Sequence, residues 1–154
     1  MFNWLRHILR GSFDNQTVPN HRNDIKTKKQ NLSNEPAVHY KKLSVLDKTP
    51  SNSFINEKDF IIVVDRGKFY WALFRCPCGC GNVISLSLQK NHNPSWTVRK
   101  TPAGRPTVHP SIWQNKGCCS HFWIKDGRVY WCNNTGIEPW VAEPLYYSKT
   151  EMKA

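Results

Sequence analysis

The stretch Cys76-Pro77-Cys78-Gly79-Cys80-Gly81 constrains this chain more than any other. Three thiols stand at alternate positions among Pro and Gly. A disulfide closed within Cys-x-Cys is strained, because the bond needs Cα atoms about 4.4–6.8 Å apart and suitably aimed Cβ vectors. A metal meets no such difficulty. Thiolates at short spacing converge on one Zn²⁺ at about 2.3 Å each. Gly79 and Gly81 suit the turned backbone of such a knuckle. A fourth thiolate is available from Cys118, Cys119 or Cys132. The sequence therefore predicts a small domain organised around a structural zinc ion.

The formal charge is +11, with 22 Lys and Arg against 11 Asp and Glu among 154 residues. Such a balance points to an acidic partner, either nucleic acid or an acidic protein face. The basic residues are spread along the chain and form no block, which disfavours a nucleic-acid groove. No apolar run approaches a membrane span. Residues 2–10 carry Arg and His among their apolar positions and lack the uninterrupted core of a signal peptide. Reduced, partly metal-bound thiols in the cytoplasm are the expectation.

Phe2, Leu5, Ile8 and Leu9 are spaced for one side of a short helix. Residues 11–36 are polar, with few apolar anchors, and read as a disordered basic tail. A zinc-stabilised β domain is expected over 37–148, with its core in 59–132. Residues 37–56 carry only a weak strand pattern, read as a strand or turn at the domain edge. Residues 60–64 and 69–74 read as strands joined by a turn at 65–68, and Val83 to Leu88 leaves the knuckle as another. Trp96 to Arg99 and Thr107 to Trp113 follow. Pro110 lacks a donor and demands an edge or a bulge. Asp126-Gly127 suits a two-residue type I′ hairpin turn. It pairs Lys125 with Arg128 and sets His121 opposite Cys132. The predicted fold is mainly β: a small antiparallel domain with a cysteine zinc knuckle, behind a disordered N-terminal tail. Trp71, Trp96, Trp113, Trp123, Trp131 and Trp140 read as core in preference to a base-stacking platform.

His121 is the leading candidate for a base that activates a hydroxyl. Ser120 is its neighbour in the chain, but successive strand side chains point to opposite faces. Ser111 follows Pro110 in an irregular stretch and can approach from a neighbouring segment. That favours Ser111 as nucleophile and leaves Ser120 as the alternative. In a regular strand Cys118 shares a face with Ser120, and Cys119 with His121. One arrangement then closes a four-sulfur site with Cys76, Cys78, Cys80 and Cys118 and leaves no open position for metal catalysis. The other gathers Cys119, His121 and Cys132. The first is preferred, with Cys119 and Cys132 as small, inert thiols.

Cys76-Pro77-Cys78-Gly79-Cys80-Gly81, then Pro110-Ser111-Ile112, then Cys118 through Ile124 resemble a bacterial family with the motif C-x-C-G-C-G … P-S-[IV] … C-x-S-H-[FY]-W-I. Its members occur in bacterial ubiquitination-like (Bub) operons, beside a ubiquitin-like protein and its activating and conjugating enzymes. The resemblance covers roughly residues 59–132. It implies a deubiquitinase-like serine peptidase that acts at the C-terminus of a ubiquitin-like modifier. Its partners would be that modifier, its conjugates and the operon's enzymes. It further implies zinc ligation by Cys76, Cys78, Cys80 and Cys118, and catalysis drawn from Ser111, Ser120 and His121. Cys119 falls at the variable position. No acidic third catalytic residue stands in the motif, so a Ser–His dyad is one expectation. A non-catalytic zinc module that binds protein or nucleic acid is the competing function class.

Overall fold

The run Phe60-Ile61-Ile62-Val63-Val64 satisfies its backbone by pairing on both sides. In the computed structural model, which describes residues 35–145, this run lies inside a four-stranded sheet. That sheet has the order β1 (Lys42–Leu46), β2 (Asp59–Asp65), β3 (Lys68–Arg75) and β4 (Val83–Ser87). A second four-stranded sheet follows: β5 (Thr97–Lys100), β6 (Pro106–Trp113), β7 (His121–Lys125) and β8 (Arg128–Trp131). All pairings are antiparallel except that of β1 with β2, which is parallel. One helical turn, α1 (Pro139–Ala142), comes after β8. The expected N-terminal helix and nearly all of the expected tail lie outside the described residues.

Side-chain alternation sets the layers. Phe60 and Ile62 of β2, Ala72 and Phe74 of β3, and Ile84 and Leu86 of β4 share one buried cluster with Val108, Ile112, Phe122, Ile124 and Val129 of the second sheet. The two sheets thus pack face to face. The other face of the first sheet buries Ile61, Val63 and Leu73 beneath Ile55.

The segment before β2 lies deeper than its weak pattern suggests. Tyr40 is fully buried, edge-on to Phe60 and Phe74. Its hydroxyl donates to the Arg75 carbonyl at 2.8 Å, which satisfies the one polar atom that this burial would orphan.

Three irregularities position the site. Register is lost between Val108 and Ile112, where β6 passes through a cis His109–Pro110 bond. Pro110 therefore sits in an interior strand and is accommodated by a bulge. The second irregularity is at residues 118–120, expected as the start of a strand. Gly117 (φ 73°) and Cys119 (φ 48°) are left-handed, so the chain kinks and β7 begins at His121. The third is the Asp126-Gly127 turn, with both residues at positive φ. It pairs Lys125 with Arg128 and extends the ladder to a Cys132 N–H bond onto the His121 carbonyl (2.9 Å).

Gly127 is fixed by more than its φ of 71°. A Cβ there would stand 2.2 Å from the Tyr40 carbonyl oxygen, and that carbonyl belongs to backbone held by bonds to the Gly127 oxygen itself. Gly127→Ala combines left-handed strain of about 1–2 kcal/mol with a clash that only backbone movement relieves. A loss of more than about 2 kcal/mol is expected, read as a lower urea midpoint at unchanged slope.

Candidate active site and thiol cluster

The knuckle joins β3 to β4, and its backbone turns at Gly79 (φ 83°) and Gly81 (φ 80°). Cys76 N–H donates to the Asn82 carbonyl (2.8 Å) and Gly79 N–H to the Cys76 carbonyl (3.3 Å). Arg75 braces the loop, its guanidinium donating to the carbonyls of Ile55 (2.6 Å) and Gly81 (2.6 Å). Cys118 arrives from the other sheet along the kink before β7. The sulfurs of Cys76, Cys78, Cys80 and Cys118 all lie within 4.8 Å of one another. The Cys76 sulfur is 3.3 Å from that of Cys78 and 3.8 Å from that of Cys118. A tetrahedron with bonds of about 2.3 Å has edges of about 3.8 Å, so the set fits one zinc-sized ion. Among the described residues it is the one group of three or more potential metal ligands. Cys119, His121 and Cys132 form no such group.

Three of the clustered thiols are shifted from their ordinary value, Cys80 being raised by burial. Burial pushes the Cys76 thiol up, out of its ordinary range. Burial also acts to raise Cys78, but hydrogen bonds from the Ser120 hydroxyl and the Cys76 thiol outweigh it and hold Cys78 at about 6. Four thiolates this close repel one another, and a bound cation removes that repulsion.

Ser120 is buried, 3 % exposed. Its hydroxyl donates to the Cys118 sulfur at 3.2 Å. Ser111, on β6, meets the His121 ring instead. Its Oγ is 3.0 Å from His121 Nε2, while His121 Nδ1 is 2.6 Å from the Asn134 side-chain oxygen. A neutral imidazole has one donor nitrogen and one acceptor. Asn134 accepts from Nδ1–H, which leaves Nε2 to accept the Ser111 proton. The ring is further fixed by Trp113, stacked on it at a centroid distance of 4.1 Å and an interplanar angle of 6°. Trp113 is itself held by its indole N–H on the Ile137 carbonyl (3.2 Å).

The backbone that carries these groups is tied from several directions. Trp96 Nε1–H donates to the Ser111 carbonyl (3.2 Å). The Thr135 hydroxyl accepts from His121 N–H (2.9 Å), and Gly136 N–H donates to the Cys119 carbonyl (2.9 Å). The 132–136 turn, which presents Asn134, is thereby bound to the same kink that delivers Cys118.

Asn134 is the participant that the sequence reading missed. It lies ten residues beyond the last motif segment and two beyond the span that the resemblance covers. The available signal was the hairpin register, which sets Cys132 against His121 and carries the Asn133-Asn134-Thr135-Gly136 turn past the imidazole.

Partners that orient a metal ligand typically alter affinity about 10–100-fold when removed. Ser120→Ala should therefore weaken zinc retention by at least about 10-fold in a chelator competition, whereas Cys76→Ser should abolish the cooperative thermal transition. Zinc retention equal to that of the unsubstituted chain in Ser120→Ala would refute the link.

No curated protein and no solved structure matches the chain. A family model described as bacterial ubiquitination-like system serine protease (BubE) matches residues 45–132, a span that holds the knuckle, Ser111, Cys118 and His121. That is more than half of the chain, and the chain belongs to this family.

Proposed function

We propose that this protein is a deubiquitinase-like serine peptidase that releases or processes a bacterial ubiquitin-like modifier at its C-terminus. The observation that carries the reading is the 3.0 Å contact of Ser111 Oγ with a His121 ring whose other nitrogen is bound by Asn134. The family description supports a serine protease of a ubiquitination-like system.

The chemistry follows from the atoms. His121 Nε2 takes the Ser111 proton as Oγ attacks the carbonyl carbon at the modifier's terminus. The resulting imidazolium gives that proton to the departing lysine or peptide amine, and the C–N bond breaks. Water, deprotonated by the same nitrogen, then cleaves the acyl-enzyme and restores the serine. Asn134 fixes tautomer and ring orientation, as an amide does in Cys-His-Asn peptidases. It lends no negative charge to the imidazolium, and the stacked Trp113 compensates through its π-face.

Zinc at Cys76, Cys78, Cys80 and Cys118 has a structural role: four sulfurs leave no position for substrate. When bound, it cross-links the two sheets. Ser120 serves that centre and not the attack on substrate. Reduced thiols support a cytoplasmic setting, and among the described residues no helix is long and apolar enough to cross a membrane. The operon's activating and conjugating enzymes make the conjugates that this activity would undo.

The test uses the operon's ubiquitin-like modifier extended at its C-terminus by a reporter domain. Ser111→Ala and His121→Ala should each lower cleavage by about 10³-fold or more with zinc content and Tm nearly unchanged. Asn134→Ala should lower kcat more than it alters KM, because it disturbs orientation and not binding. Cleavage at the unsubstituted rate by His121→Ala would return the chain to the class of non-catalytic zinc modules.

A further inference from the structure

A second concavity opens where the two sheets part, and none of Ser111, His121 and Asn134 lines it. It is a cleft of about 390 Å³, a size that accommodates a ligand or an anchoring side chain. Its floor is Leu43 of β1, Ile62 of β2 and Leu88 after β4, all continuous with the core. Trp96 and Val98 form a wall. At the mouth, Val45 is 57 % and Phe69 59 % exposed.

Two properties narrow the occupant. Val45 and Phe69 of the lining stay largely exposed, so apolar surface runs from the floor out to the open mouth, which suits a protein segment. The charged side chains of the lining are Lys90 and Lys100, and no acidic group lies among them. Both lysines are exposed, and neither meets a carboxylate among the described residues. The whole chain adds a formal charge of +11, which draws acidic surfaces to it. Two cations flanking an apolar cleft complement a large apolar side chain with carboxylates beside it.

We infer that this cleft is an exosite for an acidic segment of a protein partner, which inserts one large aliphatic or aromatic side chain between Leu43, Leu88 and Trp96. The site adjoins the nucleophile through one side chain. Trp96 forms the wall of the cleft, and its indole N–H donates to the Ser111 carbonyl (3.2 Å). A segment held there is therefore one indole away from the backbone that carries the attacking hydroxyl.

The experiment uses the full chain with Ser111→Ala, so that binding is read independently of any cleavage. The probe is the capped hexapeptide Asp-Glu-Leu-Phe-Glu-Asp, titrated by NMR. Controls replace Leu-Phe with Ser-Ser, or all four acids with Lys. The expected result is a saturable shift of the Trp96 indole N–H and of the Leu43, Leu88 and Val98 methyls. Both control peptides, and the acidic peptide on a Lys90→Glu/Lys100→Glu chain, should bind at least about 10-fold more weakly. These lysines are exposed, so the doubly substituted chain keeps its fold. Equal affinity for the charge-reversed chain would overturn the inference, as would absence of a saturable shift at these groups. It would also fail if decanoate saturated the cleft while the peptide did not, or if the same shifts arose from protein concentration alone through a second copy of the chain.

Discussion

The close approach of Cys118 to Cys76 is the contact on which the other features depend. Cys76, Cys78 and Cys80 belong to the loop joining β3 to β4 of the first sheet, and Cys118 to the segment that leads into β7 of the second. A cation shared by the four would be a cross-link between the layers. Hydrophobic burial brings the sheets together, but it is non-directional and does not fix how the loops at one end meet. Four directed metal–sulfur bonds would. The kink at Gly117 and Cys119 allows Cys118 to reach down to the knuckle while His121, three residues on, starts a strand facing outward.

The Ser111–His121–Asn134 geometry would inherit that constraint. Cys119, at the kink, accepts from Gly136 and so anchors the turn bearing Asn134. Ser120 turns inward to the sulfur cluster, and His121 turns outward to Ser111. The kink before β7, not strand alternation, separates the contacts of the two neighbours. Ser111 meets the ring because Pro110 breaks the β6 ladder. A regular strand would hold residue 111 in register with β7, whereas the bulge leaves its backbone to the Trp96 indole.

Much of this was legible in the residues. Asp126-Gly127 announced the β7–β8 register, since few residue pairs tolerate two successive positive φ values. The thiol spacing announced the cluster, and Pro110 announced a break beside Ser111. Other features left no local trace. The parallel pairing of β1 with β2 involves no tight turn, so a twelve-residue connection hid it. The depth of Tyr40 depends on rings contributed by β2 and β3. The kink at Cys119 put a non-glycine residue at positive φ, which strand periodicity does not foresee. Asn134 has no motif of its own, and only the β7–β8 register, which sets Cys132 against His121, hints that the following turn passes the imidazole.

Labelling with a fluorophosphonate, followed by peptide mapping, tests the Ser111–His121–Asn134 centre most directly. Such probes form a bond to a serine oxygen only where a base has activated it. A single adduct on Ser111 is expected, retained in Ser120→Ala and lost in His121→Ala. An adduct on Ser120, or an Ser111 adduct that persists without His121, would contradict it.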